Sequence, residues 1–224
     1  MLEIVIDIET VPPPMTETAK LELAFDKVPK TYKKKEAIEK WVLDNCEETY
    51  QRLALDHHRA LVVAIGLQVP GGHRRVFVAD NDYMDVEEEL FQRFNVWVER
   101  HRNKIQWIGH NIAGFDMPML FKRAVKYGHC AIARATYMSK PWDAHIVDTM
   151  LLWPGRDWSR LDDIAEFLGI ERTEAWEEDA GHHGQQIRQW WHDGEVERIR
   201  AACGSDVELT AKVAQRLRDI GGVW

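Results

Sequence analysis

Residues 2–9, Leu-Glu-Ile-Val-Ile-Asp-Ile-Glu, constrain the fold more than any other stretch of the chain. Leu2, Ile4, Ile6 and Ile8 recur every second residue, the period of a strand, and so share one face. Asp7 and Glu9 share the opposite face near the strand's end. Pro12, Pro13 and Pro14 stop the strand, because proline has no amide proton for a ladder. Two carboxylates side by side repel each other and are costly to strip of water. A solvent-facing strand edge avoids that cost. A divalent cation removes it, since Mg2+ and Mn2+ prefer oxygen ligands. The pair alone fits either situation.

From about Glu17 to Arg59 the chain is charged and helix-prone, which predicts an insertion of one or two helices at about 17–59. Leu61–Val69 and Arg75–Ala79 read as strands joined through Pro70-Gly71-Gly72, a hairpin signal. Leu90, Phe91, Phe94 and Trp97/Val98 are spaced for a helix over Val86–His101. A short strand at Ile105–Ile108, a helix at Pro118–Tyr127 and a strand including His145–Asp148 follow. Leu161–Leu168 is a helix ended by Gly169. Gln185–Ile220 is helical, broken near Asp193-Gly194. Three antiparallel strands followed by alternating helices and strands predict an α/β mixed sheet flanked by helices.

Bulk properties narrow the class. The 224 residues suit one domain, 1–224, and 45% hydrophobic with 29% charged residues describes a chain with a real core. The longest apolar runs, such as Leu61–Val69, are too short to span a bilayer, so no membrane partner is expected. With no basic stretch leading into an apolar, cleavable segment, the expected location is cytoplasmic. Cys46, Cys130 and Cys203 are odd in number and widely spaced, which argues against a disulfide framework. They read as buried or incidental thiols. A net charge of −8 argues against a broad basic face for nucleic acid. It is compatible with a carboxylate cluster neutralised by cations. The local basic runs, Lys30–Lys35 and Lys122-Arg123…Lys126, read as solvated charge or as phosphate contacts.

Two further acidic positions stand out. In Gly109-His-Asn111-Ile-Ala-Gly-Phe115-Asp116-Met-Pro118, Asp116 sits between a strand and a helix carrying Pro118 in its first turn. It can cap that helix, or join Asn111 at a metal site. Asp206 falls within the apolar stripe of the last helix, three residues after Cys203 and four before Thr210. A carboxylate facing a core must be paired, hydrogen-bonded or metal-bound.

In their order, DIET, HNIAGFD and a late SDVELT helix resemble the DEDD-type 3′–5′ exonucleases of the ribonuclease H-like superfamily. Among these the chain is most similar to the exonuclease group related to family B DNA polymerase proofreading domains. Asp7 and Glu9 match the first motif, Asn111-x-x-x-Phe115-Asp116 the second and Asp206 the third. The segment from Gly184 through Cys203-x-x-Asp206-Val207-x-x-Thr210 and the helix Leu161–Leu168 are also similar. The resemblance implies a ribonuclease H-like mixed sheet and hydrolysis at the 3′ end of DNA or RNA. It implies two divalent cations, Mg2+ or Mn2+, held by Asp7, Glu9, Asp116 and Asp206, with nucleoside 5′-monophosphates released. Single-stranded or frayed 3′ ends are the expected partner. Thr10 and Val11 would line the terminal-nucleotide pocket, and Asn111 and Phe115 would support the second motif.

One departure matters. The family usually carries a Tyr four residues, or a His five residues, before the last Asp, to orient the attacking water. Ala202 and Ala201 stand there, and losing such a group removes about 10²–10⁴-fold in rate. Low activity is therefore expected, and Ala202→Tyr is expected to raise it. His182, His183 and His192 are either substitutes or ordinary surface residues. Trp142, Trp153, Trp158 and Trp190-Trp191 can stack on bases, or pack in the core. The competing function is a weakened or inactive member that acts as a nucleic-acid-binding or protein-docking module.

Overall fold

The computed structural model describes residues 1–69, 71–80, 86–101, 105–153, 158–172 and 183–220. The elements run β1 (Leu2–Val11), α1 (Glu17–Asp26), α2 (Lys35–Gln51), a 3-10 turn (Arg52–Leu55), β2 (Leu61–Gln68) and β3 (Arg74–Val78). Then come α3 (Val86–Arg100), β4 (Ile105–Gly109), α4 (Asp116–Tyr127), α5 (Cys130–Thr136) and β5 (Ile146–Asp148). The chain continues with α6 (Thr149–Leu152), α7 (Leu161–Phe167), α8 (His183–His192) and α9 (Val196–Asp219).

The strands form one sheet in the order β3-β2-β1-β4-β5. β1 pairs antiparallel with β2, and β2 with β3; β4 lies parallel to β1, and β5 parallel to β4. This is the mixed α/β sheet expected from the sequence. Its first strand is central because both faces of β1 are covered. Ile4, Ile6 and Ile8 join Leu90, Phe91, Phe94, Trp107, Met117, Leu120 and Ile132 in a core beneath α3, α4 and α5. Val5 packs on the opposite face with Ile108, Val147, Val207 and Ala214, under α9. Each fully buried aliphatic side chain contributes about 1.5–3 kcal/mol relative to exposure, so this sidedness fixes the register of β1.

Helix α9 lies across β1, β2, β3 and β4. Gly66 makes its close approach possible: a Cβ there would sit 2.6 Å from Val207 Cγ2 and 2.8 Å from Cys203 Sγ. Gly66 is also the residue paired with Asp7 across the β1–β2 ladder. The helix therefore meets the sheet at the acidic end of β1.

Two elements differ from the sequence reading. The α5 helix has only seven residues, too few for a helical period to stand out. It is held by Ile132 in the core and by Thr136 Oγ1 donating to the Ile132 carbonyl at 2.8 Å. Arg123, read with its neighbours as solvated or phosphate-facing, is buried instead. Its guanidinium donates to Glu87 Oε1 at 2.8 Å, to the His57 carbonyl at 3.1 Å and to the Ala60 carbonyl. Pro70 of the expected hairpin turn lies outside the described residues, while Gly72 donates its amide to the Val69 carbonyl.

Candidate active site

The end of β1 presents Asp7 and Glu9 on the α9 side of the sheet, as alternation requires. The β1–β2 register shifts between Glu9 and Thr10, leaving Glu9 opposite Ala64 and Thr10 opposite Val62. Glu9 is buried, and Asp7 keeps partial exposure. One carboxylate oxygen from each and Cys203 Sγ lie within 4.8 Å of one another.

Asp116 arrives from the neighbouring parallel strand. β4 ends at Gly109, where a Cβ would be only 2.8 Å from the Ile6 carbonyl, so the chain can turn tightly against β1. Asn111 then adopts a left-handed φ of 58°, which asparagine tolerates better than most residues. Its carbonyl accepts from the amides of Gly114 and Phe115. Asp116 opens α4 as its first residue and is 3% exposed. It does not cap the helix: Phe115 holds the cap position, with no side-chain hydrogen bond. The Asp116 carboxylate instead accepts from its own amide and from the amide of Ile8, between Asp7 and Glu9. Its Oδ1 is buried with no hydrogen-bond partner.

Asp206 completes the group from α9. Arg172 Nη1 donates to Asp206 Oδ1 at 2.6 Å and to Ser205 Oγ at 3.0 Å. The other edge of the same guanidinium holds Asp162 Oδ1 at 2.7 and 3.1 Å. Of the two alternatives open for Asp206, pairing is therefore realised.

The electrostatics follow from burial. Desolvation pushes the Asp7 carboxyl well above its ordinary range; the charges of Glu9, Asp116 and Asp206 push further, and Arg172 opposes them. Burial, reinforced by Asp148 and Glu9, raises Asp116 to about 8, although its own amide and that of Ile8 pull it down. The Cys203 thiol is raised by burial and then by the same four carboxylates. Arg172 loses some of its charge preference to desolvation, yet Asp206 and Asp162 more than restore it. Four acidic groups thus feel one another across a small volume.

Sequence reasoning missed three supporting residues. Asp148 at the end of β5 is buried, and its carboxylate accepts from the amides of Asn111 at 2.9 Å, Ala113 at 2.9 Å and Met150 at 3.0 Å. It fixes the loop that delivers Asp116. His110 uses both ring nitrogens, one with Thr149 Oγ1 at 3.0 Å and one with the Ser159 carbonyl at 2.9 Å. Arg172 is the third.

The proposed nucleotide-pocket residues divide. Thr10 Oγ1 donates to the Ala54 carbonyl at 2.7 Å. Val11 is buried at the lip of a cleft of about 970 Å³, lined also by Pro12, Tyr50, Arg188, Trp191 and His192. Phe115 stacks obliquely on His57, with ring centroids 5.5 Å apart. Ala202 is fully buried among Val11, Val63, Ala64, Val78 and Trp190, so a tyrosine at this position would enter a packed core. His182 lies outside the described residues, as does the His183 side chain. His192 is exposed and contacts Asp193 at 3.0 Å. Trp190 is core, whereas Trp142 and Trp158 are exposed.

Among the described residues no helix is long and apolar enough to cross a membrane. In comparisons with known proteins, no curated protein matches. The family B DNA polymerase of the hyperthermophilic archaeon Pyrobaculum calidifontis shares the fold, with a TM-score of 0.56 at 18% identity over 97% of this chain. The chain spans 24% of that polymerase. Residues 50–222 match the model of a family described as predicted 3′–5′ exonucleases related to the exonuclease domain of PolB. With three strands' worth of acidic groups converging as that family's motifs require, the chain belongs to this exonuclease family.

Proposed function

We propose that residues 1–224 act as a single exonuclease-like domain, with the helices of about 17–59 as an insertion. The domain hydrolyses the terminal phosphodiester at the 3′ end of DNA or RNA and releases nucleoside 5′-monophosphates. The observation that carries this reading is the convergence of Asp7, Glu9, Asp116 and Asp206, with the buried Asp116 Oδ1 left unpartnered. Such a cluster is costly as bare charge, and its all-oxygen donors suit Mg2+ or Mn2+. Asp7 and Glu9, with Asp206, would hold one ion, and Asp116 would serve a second. Bound there, divalent cations lower the pKa of a water and offset the charge that builds on the phosphate.

The chain's own residues supply position. Asp148 clamps the Asn111–Ala113 loop and so fixes the angle at which Asp116 leaves β4. Val11 and Trp191 give the cleft an apolar wall on which a terminal base can rest, and Arg188 adds a cation for its phosphate. Single-stranded or frayed 3′ ends suit this cleft better than a duplex, because a base must unstack to enter it.

The test uses 5′-labelled single strands of DNA and of RNA, incubated with Mg2+ or Mn2+. A ladder shortening from the 3′ end, abolished by Asp7→Ala, is the expected result. Strand binding without a ladder, in either metal and at high protein concentration, would instead identify a non-hydrolytic binding module.

A further inference from the structure

We propose that Cys203 supplies a sulfur donor to the cation held by Asp7 and Glu9, biasing that position toward thiophilic dications such as Co2+, Zn2+ and Cd2+ over Mg2+. The inference rests on the metal-site reading above and adds a ligand to it.

Four observations converge on the sulfur. Cys203 Sγ lies within 4.8 Å of an oxygen of Asp7 and of Glu9, the spacing of donors around one ion. The thiol is aimed at β1, with Sγ 3.8 Å from the Asp7 carbonyl oxygen. Its approach depends on Gly66, since a Cβ there would stand 2.8 Å from Sγ. Cys203 precedes Asp206 by three residues on α9, so both project from one face of the helix. Asp206 is already shared with a guanidinium at 2.6 Å, and Ser205 takes part in the same network. The first donor that α9 offers to the Asp7–Glu9 pair is therefore sulfur.

A separate feature points to a cation at this spot. Asp116 is 3% exposed, and its Oδ1 has no hydrogen-bond partner, while the carboxylate as a whole is docked on the Ile8 amide between Asp7 and Glu9. A buried carboxylate oxygen lacking a donor is expensive, and a shared dication would satisfy it.

Coordination exchanges a proton for the metal. The Sγ–H bond breaks, its electron pair forms the Sγ–metal bond, and the proton goes to solvent, with no change of oxidation state. Soft thiolate favours Co2+, Zn2+ and Cd2+, whereas Mg2+ favours oxygen and water.

The experiment takes the full chain carrying Cys46→Ser and Cys130→Ser, which leaves Cys203 as its one thiol, and titrates it with Co2+. A near-ultraviolet thiolate-to-cobalt absorption band is expected. Adding Cys203→Ser should remove the band and weaken Co2+ or Cd2+ binding by about 10-fold or more, with Mg2+ affinity little changed. Co2+ binding measured calorimetrically without that band overturns the Cys203 assignment and leaves the carboxylate site standing. No binding of any dication overturns both readings. The band is read before Cys203 is altered, so a Cys203 variant that fails to fold does not remove the test.

Discussion

Asp116 shows at the scale of one residue what the cluster costs the fold. Its carboxyl rises from the ordinary value of 3.8 to about 8, chiefly through burial. Between those values the folded chain binds a proton that the unfolded chain has released. Stability without metal must therefore fall as pH rises through this window and level off above it. Thermal melts without divalent cations should show a declining Tm from about pH 4 to about pH 8. Asp116→Asn should flatten that decline, leaving the part due to Asp7, which is raised in the same sense. Parallel curves for the two proteins would refute the assignment. Asp7 and Glu9 were legible because strand alternation is local and their spacing is its period. Asp148 and Arg172 were not. They act on amides and carboxylates more than 30 positions away in sequence, and no local pattern encodes such a pairing.

Among the elements, α9 does the most to shape the site, and its 24 residues announced themselves through a long apolar stripe. What the stripe did not reveal was how tightly each position is packed. Ala202 suggested a gap where a water-orienting tyrosine belongs, but the helix presses that position into Val11, Val63, Ala64, Val78 and Trp190. Ala202→Tyr should cost about 1–3 kcal/mol through overpacking. Urea denaturation would register this as a lower midpoint at unchanged slope, and nuclease assays should show no gain. A faster enzyme of unaltered stability would mean that the phenol finds a path out of the core. Helix α5 illustrates the opposite limit, since seven residues exist as a helix only because Ile132 has a core to enter.

For the molecule as a whole, one buried ion pair joins parts that the sheet alone does not. Arg123 on α4 meets Glu87 on α3 at 2.8 Å, with both side chains 5% exposed or less. Glu87 also accepts the Val62 amide of β2 at 2.9 Å, and Arg123 reaches the carbonyls of His57 and Ala60 ahead of that strand. Arg123→Met would strand a buried carboxylate and should cost about 3–5 kcal/mol, measured by chemical denaturation. A loss below about 1 kcal/mol would mean that Tyr127 and Lys126, which also touch Glu87, suffice to hold it. The basic run containing Arg123 looked like surface because composition counts charges without showing which of them faces inward.

The order in which the carboxylates appear along the chain has a consequence for synthesis. Asp7 and Glu9 are among the first residues made, while the helix that lies across them spans Val196–Asp219. Domains fold as units once their long-range partners are available. A ribosome must therefore translate almost the whole of this chain before the acidic strand is covered. Until then the nascent polypeptide has no assembled cluster with which to attack the messenger or any other strand nearby. A break within the last helix would return a finished molecule to that harmless state.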